Sequence, residues 1–98
     1  MRYRTRLRIP DELARDLAKL IPDLKRRLRA GLDRVIADSR AGKALLGELA
    51  GLRSLRIGRM RVIYRTAPGK VIEIVAIGPR QTIYEETRRL VRREQPGS

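Results

Sequence analysis

The spacing of apolar and polar positions along this chain changes period several times, and each change marks an element. Residues 2–9, RYRTRLRI, alternate strictly, with Arg2, Arg4, Arg6 and Arg8 on one side and Tyr3, Thr5, Leu7 and Ile9 on the other. Period two with one apolar side predicts a half-buried strand. Its arginine side suits a sheet edge, where charge blocks pairing with other chains. Pro10-Asp11 then opens a helix, because proline fits the first turn and an acid favours the positive helix end. Leu13, Leu17, Leu20 and Ile21 form its apolar stripe. Pro22-Asp23 repeats the opening signal for a second helix, with Leu24, Leu28, Leu32, Val35 and Ile36 on one face and Lys25, Arg26, Arg29 and Arg34 largely on others. So short a link predicts an antiparallel helical hairpin. The periodicity fades at Ser39, and residues 40–51 read only as a small-residue connector.

Period two returns in the segment LRSLRIGRMRVIYR, residues 52–65. It predicts strands over 52–57 and 60–66, joined by Gly58-Arg59, a two-residue loop with glycine first. In that register Ile57 faces Met60, Arg56 faces Arg61 and Leu55 faces Val62. Arg65 falls on the Arg56–Arg61 face by parity, while Leu55, Ile57, Met60, Val62 and Tyr64 form the opposite face, the natural seat for the helices, with Tyr64 in the core. Ala67-Pro68-Gly69-Lys70 places proline and glycine where a type II turn wants them. VIEIVAIG, residues 71–78, reads as a strand buried for most of its length. Thr82-Ile83-Tyr84-Glu85 matches a capping box and predicts a helix with Ile83, Thr87, Leu90 and Val91 on one stripe. The expected fold class is therefore α+β, in the order β-α-α-β-β-β-α. An antiparallel sheet would pack on an N-terminal helical hairpin, followed by a C-terminal helix. One domain spans residues 1–98, with 95–98, QPGS, as a flexible tail.

Composition sharpens this picture. Ninety-eight residues suffice for one modest core, and the absence of Phe and Trp leaves it to Leu, Ile and Val. The formal net charge is +13, and 20 of the 24 basic residues are arginine. Such an excess opposes compaction and favours a polyanionic partner. Without cysteine there is no disulfide framework or thiolate site, and without histidine the commonest metal ligand and general base are missing. No metal or cofactor is expected. No apolar run approaches membrane-spanning length, so a cytoplasmic protein with no membrane partner is expected. Two opposed arginines destabilise a sheet unless something supplies negative charge, and a further arginine, Arg80, follows the next strand. Composition and pattern together predict a nucleic-acid-binding α+β domain in which phosphate relieves that repulsion.

The residues that carry this pattern also resemble a known family. LRIGRMRVIYR, then a turn, then VIEIVAIGPRQTIYEETRRL, is similar to the C-terminal half of the RelE/ParE toxins of type II toxin–antitoxin systems. The family pattern is close to L-R-x-G-x-Y-R-V-x-Y, a hairpin, an apolar strand and G-H-R-x-x-x-Y. Met60 stands here for the usual tyrosine, and Pro79 for the histidine of many members. The resemblance, closer to the RelE-like mRNA interferases, implies a ribosome-dependent endoribonuclease that cleaves messenger RNA without metal. The 2′-hydroxyl attacks the adjacent phosphate, leaving a 2′,3′-cyclic phosphate and a 5′-hydroxyl. By matching position, Arg61 and Arg80 would grip the scissile phosphate, and Tyr84 would stack on or orient the nucleotide and take part in proton transfer, since arginine stays protonated. Tyr84 also falls near the apolar stripe of its helix, where a core role is the competing reading. Arg53, Arg56, Arg59 and Arg65 are expected as general RNA contacts. Leu52 and Ser54 stand where RelE-like enzymes often carry lysines. That departure keeps open a ParE-like inhibitor of DNA gyrase on the same fold, or a non-toxic nucleic-acid-binding relative. The implied partners are a cognate antitoxin, in a hetero-oligomer, and the ribosome with its message.

Overall fold

The computed structural model describes residues 6–94. The expected strand residues 2–5, with Arg2 and Arg4, and the tail 95–98 lie outside the described residues. The elements are β1 (Arg6–Arg8), α1 (Asp11–Ala18), α2 (Pro22–Ala37), β2 (Lys43–Ala44), a short 3-10 turn (Gly47–Leu49), β3 (Arg53–Ile57), β4 (Met60–Ala67), β5 (Val71–Pro79) and α3 (Arg80–Glu94). They form one five-stranded sheet in the order β1-β5-β4-β3-β2.

The helical hairpin follows from its two prolines. Pro10 is extended at the N-terminal end of α1, with Asp11 and Glu12 in the first turn, and Pro22 is the first residue of α2. Asp23 in that first turn collects Arg26 at 3.2 Å and Arg27 at 3.3 Å. Because α1 stops at Ala18, Ile21 leaves the expected stripe and becomes the extended residue before α2, 67% exposed. Leu13, Leu17 and Leu20 remain on the packed side. α2 buries Leu28, Gly31, Leu32 and Val35. A Cβ on Gly31 would overlap Cδ1 of Ile57, so glycine is what lets the α2 backbone press onto β3.

The β3–β4 hairpin has the register expected of its glycine-first loop: Ile57 with Met60, Arg56 with Arg61, Leu55 with Val62. Gly58 takes φ +60, a conformation that glycine reaches without cost. β5 pairs antiparallel to β4 with an irregularity between Ile63 and Tyr64. Val75 is the residue left over, since Ile63 faces Ala76 while Tyr64 faces Ile74. Val75 and Ala76 therefore turn successive side chains to one side of the sheet, as a bulge does.

The α+β class stands as expected, but the sheet is mixed rather than wholly antiparallel. β1 runs parallel to β5, Arg6 against Val71 and Arg8 against Glu73. The chain leaves β1 through the helical hairpin and re-enters the sheet at the opposite edge as β2, so β1 occupies the edge that β5 would otherwise leave open. α3 also begins earlier than its Thr82 signal. Pro79 ends β5, and the helix starts at Arg80. Buried Gly78 leaves room for Ile83, whose Cδ1 lies 3.2 Å from where a Cβ would be, so strand passes into helix without a loop and Thr82 lies inside the first turn.

Two cores result. On one face the helical hairpin covers Leu55, Ile57, Val62, Tyr64, Ile72 and Ile74 with Leu28, Leu32 and Val35. On the other, α3 brings Ile83 onto Ile63, Ala76, Leu52 and Leu49. Tyr64 is fully buried; its hydroxyl accepts from the Gly42 amide at 2.8 Å and donates to the Ser39 carbonyl at 2.8 Å. That pair of bonds ties the connector to the sheet.

Candidate functional site

The ladder that pairs Arg56 with Arg61 continues across β4 to Gly78 of β5. Three adjacent positions on the α3 face thus carry arginine, arginine and nothing, with Arg80 starting α3 two residues later. Beside this row lies a cleft of about 470 Å³, lined by Arg56, Arg59, Arg61, Pro79, Arg80 and Gln81 with the Gly58 turn. Arg56 donates from Nε to the Gly58 carbonyl at 3.3 Å, holding its stem against the hairpin tip. Among the described residues no carboxylate comes within ion-pair distance of Arg56, Arg59, Arg61 or Arg80.

The acids are spent elsewhere. Arg65, two residues beyond Ile63 on the same face, donates from Nε to Glu73 at 2.6 Å and forks onto both oxygens of Glu94 at 2.9 and 3.1 Å. Arg8 joins Glu73 at 3.1 Å. The hydrogen bond from Arg65, with Arg8 assisting, holds the Glu73 carboxyl below the usual carboxylate range, and Glu94 raises Arg65 further above its ordinary value. Glu48 takes Arg92 at 2.6 Å and Arg88 at 3.9 Å. Its own value is lowered chiefly by the Arg92 hydrogen bond. Bidentate arginine–carboxylate geometry is the strong form of this pairing, so the C-terminal part of α3 is clamped to the sheet by charge while its N-terminal end faces uncompensated charge.

The structure therefore sorts the expected site residues. It brings Arg56, Arg59, Arg61 and Arg80 together around one cleft. Arg65 is not among them, because Glu73 opposes it in the ladder and α3 delivers Glu94 from 29 residues away. Arg53 is not either. By parity it stands on the helical-hairpin face with Leu55, and its guanidinium donates to the Gly42 carbonyl at 2.7 Å. Tyr84 lies one turn past Arg80, packed partly against the α3-face core, with its hydroxyl 3.2 Å from Ser54 Oγ. It borders the cleft rather than lining it, since Ser54 is the next residue on that face after Arg56. Gln81 lines the cleft without any sequence signal, because the helix was expected to begin after it.

Among the described residues no group of His, Cys, Asp and Glu is arranged to hold a metal ion. No helix is long and apolar enough to cross a membrane.

Fold and cleft together define a small α+β domain with an uncompensated cationic hollow. The chain belongs to the ParE toxin family: the model for the ParE toxin of the type II toxin–antitoxin system parDE matches residues 7–84. It is a toxin of the type II toxin–antitoxin class. Among solved structures it is similar to a chain of the RelBE2 toxin–antitoxin complex from Mycobacterium tuberculosis, with 29% identity and a TM-score of 0.67 over 79% of this chain and 99% of that one. A chain of the archaeal RelE–RelB complex from Pyrococcus horikoshii matches at 26% identity and a TM-score of 0.62, over 76% and 93% of the two chains. A free E. coli RelE toxin mutant shares the fold at 20% identity, with a TM-score of 0.71 over 94% and 99%. No curated protein matches the sequence.

Proposed function

We propose that this toxin is a ribosome-dependent messenger-RNA endonuclease of the RelE kind, kept silent by a cognate antitoxin. The observation that carries the reading is the arginine cleft, four guanidinium groups around one hollow, in a chain that pairs Arg8, Arg65 and Arg92 with carboxylates. An RNA phosphate supplies the absent negative charge. Arg61 and Arg80 fork onto its oxygens from two sides, and Arg56 and Arg59 hold the strand at the hairpin tip. The 2′-oxygen forms a bond to that phosphorus while the bond to the 5′-oxygen breaks. The 2′-hydroxyl gives up its proton and the departing 5′-oxygen takes one up, so the products are a 2′,3′-cyclic phosphate and a 5′-hydroxyl. Extra negative charge gathers on the phosphate oxygens in the transition state, where preorganised cations act most strongly. The Tyr84 hydroxyl, steadied by Ser54, is the group that orients the nucleotide and moves the proton.

The antitoxin follows from the toxin–antitoxin complexes among the related structures. An acidic, amphipathic segment that folds over the cationic face supplies the missing negative charge and adds apolar contact. A second reading, a gyrase-blocking protein on the same fold, is favoured by the ParE family match and by the absence of histidine. Brief induction followed by RNA-end mapping separates the two. The endonuclease gives cuts within codons of translated messages, lost in Arg61→Ala and Arg80→Ala variants that stay folded. Intact messages with DNA-damage signalling replace this reading with the second.

A further inference from the structure

Beyond the arginines, the connector contributes a lysine to the same face. The two-residue strand β2 pairs Lys43 with Ser54 and Ala44 with Arg53. Directly opposed residues of antiparallel strands share a face, so Lys43 stands on the side of Ser54, Arg56 and Arg61. Leu45, two residues later, gives the same parity independently, since it packs against the core beneath α3. Lys43 is exposed. Among the described residues it has no ion pair, and Glu48, the one acid between Ser39 and Leu52, is held by Arg92 and Arg88. Ser54 in turn meets the Tyr84 hydroxyl at 3.2 Å. Lys43 therefore shares the side of the sheet on which Ser54 meets Tyr84, beyond the cleft lining and about 7 Å along the strand from the Arg56–Arg61 pair. That step is within reach of a four-carbon stem ending in a mobile ammonium.

We infer that Lys43 is a substrate-contacting residue. The RNA strand enters over Arg59 and Arg80 at the hairpin tip, crosses the Arg56–Arg61 pair and leaves past Lys43, whose ammonium binds the phosphate next to the scissile one. This rests on the reading of the cleft as an RNA site. A lysine on an edge strand also blocks edge-to-edge pairing, but that role needs only exposure and does not require Lys43 to face Ser54 and Tyr84.

The test is the affinity of the full chain for a short fluorescein-labelled single-stranded RNA made uncleavable by 2′-deoxy sugars, measured by anisotropy across a salt series. Lys43→Ala is expected to weaken binding roughly fivefold and to lower the slope of log affinity against log salt by about 0.7, the value of one phosphate on a single strand. Lys43→Arg restores both, and the melting temperature of each variant matches the parent. Lys43→Ala with unchanged affinity and slope, while Arg61→Ala binds weakly, overturns the Lys43 assignment and leaves the cleft intact. A weakened Lys43→Ala whose slope is unchanged, or which Lys43→Arg does not rescue, overturns it as well. If Arg61→Ala also binds like the parent, the RNA reading of the cleft fails with it.

Discussion

Arg61 and Arg65 lie on one face of one strand, yet their removal should change stability in opposite directions. Arg61 faces Arg56 directly and shares its cleft with Arg59 and Arg80. Two unit charges about 7 Å apart in a water-like dielectric repel by about 0.6 kcal/mol, so three such neighbours destabilise the fold by roughly 1–2 kcal/mol before screening. At physiological ionic strength, with a screening length of about 8 Å, about 1 kcal/mol or less of this survives. Arg61→Met keeps the apolar stem and deletes the charge, so it should raise the melting temperature in low salt, by about 4–8 °C for each kcal/mol relieved in a domain of this size. The gain should largely vanish in molar salt. Arg65→Met removes the partner of Glu73 and Glu94 in a part-buried network. It should cost about 1–3 kcal/mol and lower the melting temperature. Thermal unfolding by circular dichroism at two salt concentrations reads all four outcomes. An Arg61→Met protein no more stable than its parent, with no dependence on salt, would refute the claim that the cleft is electrostatically unrelieved.

Two further outcomes follow from buried or paired groups. Tyr64→Phe strands the Gly42 amide and the Ser39 carbonyl, which should cost about 1–3 kcal/mol; urea midpoints unchanged from the parent would show that the connector is not anchored there. Glu73 titrates below its ordinary value of 4.5 because Arg65 binds its charged form. A carboxyl depressed in the folded state adds stability that is present above its ordinary value and lost as pH falls through its folded one. Denaturation midpoints should therefore drop below about pH 4.5, more steeply in the parent than in Glu73→Gln. Parallel acid profiles would contradict the network.

Much of the fold was legible because it is local. The glycine-first loop at Gly58 fixed the hairpin register, and parity then placed Arg56 and Arg61 opposite each other. The prolines at 10 and 22 marked both helix starts. What escaped depends on distant partners. Alternation in β1 shows which side is buried but not that β5 is its neighbour. β2 stayed hidden because Ala41 and Gly42 answer to the Tyr64 side chain rather than to a period: a Cβ at Gly42 would stand 2.7 Å from its ring. Parity put Arg65 on the correct face but could not show Glu94 arriving from the end of α3. Arg53 was separable in principle, since its odd number groups it with Leu55 and Ile57.

If the proposed function holds, the cleft arginines, and not the paired ones, receive phosphate. Nitrogen-15 spectra of the arginine Nε–H groups, recorded while a 2′-deoxy-substituted single-stranded RNA is added, test it directly. The resonances of Arg56, Arg61 and Arg80 should move together and saturably while those of Arg8 and Arg65 stay in place. Shifts centred on Arg8 and Arg65, or spread evenly over all arginines, would contradict it.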